Sequence, residues 1–275
     1  TGLSPTATGL IVSSLIERGY IRERGTGESK GGRRPVLLEL VPGSCFSIGL
    51  DMDVGSVLYV LMDITGNVLY EGSADIDTKT PEAAVSALAS HVNEIIRCRL
   101  IDKDRLLGVG ISVPGLVEPK TQNIVLAPNL GWQDADLGAM LRERLEMPVY
   151  VENEAMASAI CENWIGACRE VNDFVCVNIK SGIGAGIFTG GRPYKGSSGS
   201  AGEVGHVIVD DEGPRCGCGN YGCLETFAST SRIVEKARKM ARQGVASFVS
   251  DSGNTYSIGL DNIVKAAREG DTQAL

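Results

Sequence analysis

The segment Gly202–Glu225, GEVGHVIVDDEGPRCGCGNYGCLE, constrains the chain more than any other, because one of the two histidines stands just ahead of three closely spaced cysteines. The spacing His206-x9-Cys216-x-Cys218-x4-Cys223 gathers four soft or borderline donors in one loop, a set that suits a tetrahedral Zn²⁺ held by three thiolates and an imidazole. Four protein ligands leave no coordination position for water, so such a metal shapes a loop and does not activate a nucleophile. Glu203 and Glu225 flank the donors, and a clamp that fixes two carboxylates beside a cleft builds a polar recognition site. The alternative is a redox pair or simply buried thiols. Gly217 and Gly219, interleaved with the cysteines, fit a metal-folded knuckle better than a dithiol switch.

The other five cysteines (Cys45, Cys98, Cys161, Cys168, Cys176) sit in apolar contexts and read as small buried hydrophobes, not as a disulfide framework. No apolar run reaches about 18 residues and no signal peptide opens the sequence, so the expectation is a cytoplasmic protein with no membrane partner. The net charge of −8 is unevenly shared: residues 1–41 carry +2 and the remainder −10. An acidic body repels nucleic acid, which confines any such contact to the small basic head.

That head reads as half of a DNA reader. Thr1–Arg18 is a turn followed by a helix, with Ser4 as N-cap and Pro5 at the first helical position. Ala7, Leu10, Ile11 and Leu15 form an apolar stripe and Gly19 supplies the stop. Short polar residues near the start of an exposed helix (Ser4, Thr6, Thr8, Ser13) allow close approach to base edges. Tyr20–Arg24 and Pro35–Leu40 follow as two short strands around the basic turn GTGESKGGRR, a wing whose Arg22, Arg24, Lys30, Arg33 and Arg34 would meet phosphates and supply affinity more than sequence readout. A solvated basic hairpin on an unrelated domain is the competing reading. The apolar stripe calls for helices that the sequence does not contain, so the expectation is a partial winged helix-turn-helix over residues 1–42.

Beyond Pro42-Gly43, Phe46–Asp53, Val57–Asp63 and Val68–Ser73 read as consecutive strands, followed by a helix at Pro81–Arg99 and a buried strand at Leu107–Val113. Leu137–Glu146 reads as helix, Val149–Glu152 as strand and Glu154–Cys168 as helix. The pattern then restarts with strand Phe174–Ile179, a Gly-rich turn at Ser181–Gly186 and strand Ile187–Thr189. Two half-chains opening alike suggest a duplicated α/β lobe, the first over 43–150 and the second over 151–275, enclosing a cleft. The final stretch DNIVKAAREGDTQAL reads as helical, and the second lobe is expected to be truncated.

On these residues the chain resembles the ROK family of bacterial repressors and sugar kinases, and within it the repressors of xylose and N-acetylglucosamine type. The resemblance is carried by the head ending in GGRRP, by ISVPGLVE, APNLGW, VENEA and SGIGAGI, and most specifically by the GEVGH to CGCGNYGCLE block; together they cover most of the chain. It implies an actin-like, two-lobed sugar-kinase and hexokinase fold, a homodimer and a sugar bound between the lobes. By match to the family's sugar motif, Asn153, Glu154, Glu203, His206 and Glu225 would line that site, with Gly115 and Asn129. Carboxylates accept charge-assisted hydrogen bonds from several hydroxyls at once, and His206 would ligate zinc through one ring nitrogen while presenting the other to the sugar. Asn153 and Glu154 equally fit an ordinary N-cap and first-turn acid.

Kinases of the family carry a DxGGT-like phosphate loop, whose glycines let backbone amides approach phosphates. The matching run here is Asp51-Met52-Asp53-Val54-Gly55, Lys180-Ser181 stands where kinases show Gly-Thr, and Glu154 takes the position of the catalytic Asp. One added methylene displaces that carboxylate by roughly 1.5 Å, and a misplacement near 1 Å costs on the order of 10²-fold in rate. The expectation is therefore no enzyme and no catalytic residue, but a repressor whose operator binding responds to a sugar effector. The alternative is an ATP-dependent sugar kinase.

Overall fold

The computed structural model describes residues 2–28, 34–244 and 258–275. In chain order the elements are α1 (Pro5–Glu17), β1 (Ile21–Thr26), β2 (Val36–Leu40), β3 (Phe46–Asp53), β4 (Ser56–Asp63), β5 (Val68–Asp75), α2 (Pro81–Cys98), β6 (Leu106–Val113), β7 (Leu116–Val117), β8 (Ile124–Ala127) and β9 (Trp132–Ala135). They continue with α3 (Leu137–Leu145), β10 (Val149–Asn153), α4 (Glu154–Trp164), β11 (Phe174–Ile179), β12 (Ile183–Thr189), β13 (Arg192–Tyr194), α5 (Glu225–Ala228), α6 (Thr230–Arg242) and α7 (Leu260–Arg268). The chain divides into two compact units: Thr1–Val113 with Gln122–Ile124 and Asp134–Glu152, and Pro114–Thr121 with Val125–Gln133 and Asn153–Leu275.

In the first unit the sheet order is β10-β6-β3-β4-β5, with β3 parallel to β6 and antiparallel to β4. Alternation along β3 buries Ile48, Leu50 and Met52 and leaves Ser47, Gly49 and Asp51 half-buried, the period-two pattern that fixes register. Helix α2 starts on Thr80, whose hydroxyl accepts from Ala83 N–H, has Pro81 at its first position and buries Ala84, Val85, Leu88, Ala89, Val92, Ile95 and Ile96. It packs on α3.

The head belongs to the same unit. Helix α1 is capped as the sequence implies, with Ser4 Oγ accepting from Ala7 N–H at 3.2 Å, yet its apolar stripe is not buried: Leu10 is 70% and Ile11 48% exposed. Strands β1 and β2 form an antiparallel hairpin with a bulge at Glu23/Gly25. Of the candidate DNA contacts, Lys30 and Arg33 lie outside the described residues, and Arg34, Thr6 and Ser13 are exposed. Ser4 is engaged as the cap and Thr8 Oγ1 donates to the Ser4 carbonyl at 3.1 Å, so two of the four short polar side chains serve the first helical turn itself. Arg22 and Arg24 both face Glu39, at 2.6 and 3.5 Å, on an open surface where a phosphate competes with the carboxylate at little cost.

In the second unit, β11, β12 and β13 form an antiparallel meander against which α4 packs. Met156, Ala159 and Phe188 form its buried centre, with Phe174 and Phe188 stacked at 4.8 Å. Two expectations are corrected here. Helix α4 ends at Trp164 rather than Cys168, because the amides of Ile165 and Gly166 both turn back to the Cys161 carbonyl and Ala167 N–H is taken by Glu162 Oε2. The Gly-rich turn is only Lys180–Gly182, closed by Lys180 N–H to the Gly182 carbonyl at 2.8 Å, and Gly184 and Gly186 lie inside β12. A β-carbon on Gly186 would stand 2.4 Å from both the Ala155 carbonyl oxygen and Ala159 Cβ, so this glycine serves close helix-on-strand packing and no loop.

Candidate functional site

Asn153 closes β10 and opens α4, and its side chain makes bonds in both directions. Its Oδ1 accepts from the amides of Ala155 and Met156, at 2.9 and 3.1 Å, while Nδ2 donates to the Gly115 carbonyl at 2.9 Å. The N-cap role and a place at the site thus coincide. The next residue, Glu154, is 7% exposed, with Lys180 Nζ 3.9 Å from its Oε2. Asn129 sits in the turn between β8 and β9, closed by Leu130 N–H to the Ala127 carbonyl and Gly131 N–H to the Pro128 carbonyl. Glu203 precedes a single 3₁₀ turn that ends at His206. Glu225 opens α5 and its Oε2 accepts from Ile183 N–H at 2.9 Å, which ties the metal-type loop to the start of β12.

These groups converge. Gly115, Asn129, Asn153, Glu154, Glu203, His206 and Glu225 all line one cavity of about 180 Å³, and every lining residue belongs to the second unit. Gly115 and Asn129, which sequence position assigns to the first lobe, are held with it because Pro114–Thr121 and Val125–Gln133 pack into that unit. The remaining wall includes Pro114, Leu116, Leu126, Pro128, Ala155 and Ile183, an apolar lining to which the sequence reading gave no role. The cavity is smaller than the roughly 300–1,000 Å³ of drug-sized ligand sites. The lining combines carboxylates, an imidazole and amides with aliphatic surface, a mixture that suits one small ring with hydroxyl edges and C–H faces. Burial, foremost, raises the Glu203 carboxyl above its ordinary value; His206 opposes this and the like charge of Glu225 adds to it.

His206, Cys216, Cys218 and Cys223 bring their donor atoms within 4.8 Å of one another, a cluster able to hold a metal ion. The backbone makes the knuckle: Cys216 N–H donates to the Asn220 carbonyl at 2.7 Å, Gly219 N–H to the Cys216 carbonyl at 3.0 Å, and Ile208 bridges to Cys223. His206 Nδ1 lies 3.6 Å from Cys216 Sγ, while Nε2 lies 3.6 Å from Glu203 Oε2. One nitrogen faces the thiols and the other faces the cavity. Burial pushes the Cys223 thiol up to about 12 and raises Cys216. For Cys218 burial is outweighed by hydrogen bonds, led by the one from Asn220, and its thiol is lowered. Burial thus disfavours the Cys223 thiolate, and a cation bound beside it would offset that.

In the first unit, the run matched to the phosphate loop is a two-residue hairpin turn, with Asp53 paired to Ser56. Both of its amides are engaged: Val54 N–H donates to Asp53 Oδ1 at 2.7 Å and Gly55 N–H to Thr78 Oγ1 at 2.9 Å. Asp51 Oδ1 accepts from Ser112 Oγ at 2.5 Å. Among the described residues, no helix is long and apolar enough to cross a membrane.

Comparison with known proteins places these features. A family model described as the ROK family matches residues 47–275. The xylose repressor of Caldicellulosiruptor bescii is 35% identical over 261 residues, covering 94% of this chain and 65% of its own length, so the chain spans less than two thirds of that relative. The DNA-binding transcriptional dual regulator NagC of Escherichia coli is 31% identical over 272 residues, covering 99% of this chain and 66% of its own. Among solved structures, a ROK family transcriptional regulator described as a homolog of the E. coli MLC protein aligns with a TM-score of 0.80 at 28% identity, over 99% of this chain and 68% of its own. The ROK family glucokinase of Streptomyces griseus, solved with glucose and AMPPNP, aligns with a TM-score of 0.74 at 31% identity, over 83% of this chain and 73% of its own.

Proposed function

We propose, from the premise that this chain belongs to the ROK family, that it is the larger part of a transcriptional repressor whose operator binding responds to a sugar held in the cavity around Glu154. Asn129, Asn153, Glu154, Glu203, His206 and Glu225 would read the hydroxyls, and the backbone around Gly115, stapled by Asn153, would shape the wall. The head would bind DNA as the recognition helix and wing of a winged helix-turn-helix, with Thr6 and Ser13 toward bases and Lys30, Arg33 and Arg34 toward phosphates. The alignment with the regulator reaches 99% of the chain, whereas that with the glucokinase reaches 83%. A homodimer is expected, since paired operator half-sites lie about 34 Å apart along DNA, and a cytoplasmic location follows from such a role.

The metal proposed for the His/Cys cluster is zinc. Zn–S bonds of about 2.3 Å and Zn–N of about 2.0–2.1 Å give tetrahedral edges of about 3.8 Å between sulfurs and about 3.5 Å between nitrogen and sulfur. Cys218 Sγ and Cys223 Sγ stand 3.8 Å apart and His206 Nδ1 and Cys216 Sγ 3.6 Å. Bound there, the metal would supply fixed geometry: ligation through Nδ1 leaves Nε2 as a donor toward the cavity, and the chelate holds Glu203 and Glu225 on either side of it.

The reading as a sensor and not a kinase is carried by the Asp53–Ser56 turn. A phosphate loop works through backbone amides aimed at the anion. Here one amide is held by the chain's own carboxylate and the next by a threonine hydroxyl, so a nucleotide would meet a negative charge in place of donors. Glu154, ion-paired to Lys180, remains able to accept a sugar hydroxyl. In this reading, sugar occupancy shifts the population between DNA-competent and incompetent states through its differential affinity for the two. A thermal-shift screen of the intact protein against xylose, glucose, N-acetylglucosamine and their phosphates, paired with a coupled assay for ADP release with Mg²⁺-ATP, tests it. A stabilising sugar without turnover is the expected result; sugar-dependent ADP release assigns the chain to the kinases instead.

A further inference from the structure

Val41–Cys45 joins the head hairpin to β3, and its backbone is held at both ends. Val41 N–H donates to the Tyr20 carbonyl at 3.0 Å on the hairpin side. On the sheet side Ile64 N–H donates to the carbonyl of Cys45, a fully buried residue, at 3.0 Å. Between them Ser44 N–H closes a turn onto the Val41 carbonyl, with Gly43 at φ +70°, a conformation that a β-carbon disfavours. The Gly43 amide then donates to Asp63 Oδ2 at 3.2 Å. The head and the sheet are parts of one compact unit.

Asp63 is the last residue of β4 and is 5% exposed. Its two oxygens divide their work. Oδ1 accepts from Thr65 N–H at 2.9 Å, Thr65 Oγ1 at 2.6 Å and Asn67 N–H at 3.0 Å, which builds the β4–β5 turn. Oδ2 accepts from Gly43 N–H and from Asn67 Nδ2 at 3.1 Å. A single buried carboxylate is therefore shared between the central sheet and the segment that carries the head. A regulator needs such stiffness: a freely jointed linker would let the head sample orientations indifferent to the state of the sheet, and effector binding would have nothing to bias.

We propose that Asp63 is a positioning residue that clamps the head linker to the β4–β5 turn, so that the head and the sheet that carries it move as one piece. This rests on the reading of the chain as a sugar-responsive DNA regulator. In Asp63→Asn the amide oxygen keeps the three turn bonds at Oδ1, while NH₂ at the Oδ2 position meets two donors, the Gly43 amide and Asn67 Nδ2. Asn67→Ala is the control, since it removes a turn-side donor and leaves the Gly43 bond.

The intact protein is used to enrich a duplex from a random DNA pool, and its affinity for that duplex is measured by fluorescence anisotropy with and without the stabilising sugar from the panel. Sugar affinity is measured in parallel by calorimetry. The expected result for Asp63→Asn is a sugar affinity within about twofold of the wild type and a sugar-dependent change in DNA affinity reduced to under about twofold, with Asn67→Ala keeping the wild-type response. A full response in Asp63→Asn, or loss of sugar affinity together with the response, overturns the proposal. A wild-type protein that enriches no duplex, or ignores every sugar, defeats the regulator reading rather than the clamp. Hydrogen exchange of the peptide spanning Val41–Cys45 in the intact wild type then judges the clamp alone, as it does if the variant fails to fold. Slow exchange supports the clamp, and exchange at the rate of unstructured chain overturns it.

Discussion

Replacing Asn153 by alanine removes three hydrogen bonds at the start of α4, one of which reaches the Gly115 carbonyl. Two of them, from the amides of Ala155 and Met156, are the N-cap of α4, and cap removal costs about 1 kcal/mol. The third leaves the half-buried Gly115 carbonyl short of a partner, which costs about 1–3 kcal/mol, with the lower half of that range apt at partial exposure. The sum is about 2–3 kcal/mol. Asn153→Asp separates the two contributions: a carboxylate keeps both cap bonds and favours the positive end of the helix, but turns an oxygen toward the Gly115 carbonyl. It should recover about 1 kcal/mol and no more. Urea unfolding of the three proteins, followed by circular dichroism, measures the order wild type, then Asp, then Ala. An Asp variant as stable as the wild type, or an Ala variant within about 0.5 kcal/mol of it, would refute the staple.

Three further outcomes follow from particular contacts. Burial works against the charged form of Asp63, but hydrogen bonds from Thr65 and Asn67 outweigh it and hold the carboxyl at about 2 rather than 3.8; the ionised form therefore contributes about 2 kcal/mol that is fully present above pH ~4 and is lost as pH falls through about 2. Acid unfolding of wild type and Asp63→Asn should converge toward pH 2, and parallel curves would contradict this. One zinc per chain is expected by elemental analysis, reduced in Cys216→Ser, Cys218→Ser, Cys223→Ser and His206→Ala. Because burial raises the Cys223 thiol to about 12 and raises Cys216 too, zinc affinity should fall steeply as pH drops, and a pH-independent affinity between 6 and 8 would refute thiolate ligation. Gly186→Ala drives a methyl to 2.4 Å from the Ala155 carbonyl oxygen and Ala159 Cβ, and should cost about 1–3 kcal/mol in thermal unfolding, whereas a neutral change would mean that α4 yields.

Local chemistry determined a good deal of this protein from sequence alone. Helix starts followed from Ser4-Pro5, Thr80-Pro81 and Asn153-Glu154, since a cap acts on amides two or three residues away. Strands β3 to β5 followed from consecutive runs between tight polar turns and β6 from a buried apolar run, and the donor set His206, Cys216, Cys218, Cys223 from spacing within one loop. What depended on distant segments was decided only in three dimensions. Gly184 and Gly186 read as a loop because glycine has no preference of its own, and became strand because α4 lies against them. The apolar wall of Leu116, Leu126, Pro128 and Ile183 carries no periodic signal, and helix α6 rests its Ile233, Val234 and Ala241 on Ile258 and Ile263 across the chain. The convergence of residues from Gly115 to Glu225 on one cavity, the hold of Glu225 on the Ile183 amide, and the capture of the Gly43 amide by Asp63 are all contacts between segments remote in sequence. Such contacts are fixed by how whole elements pack, and packing energy belongs to no single stretch of letters.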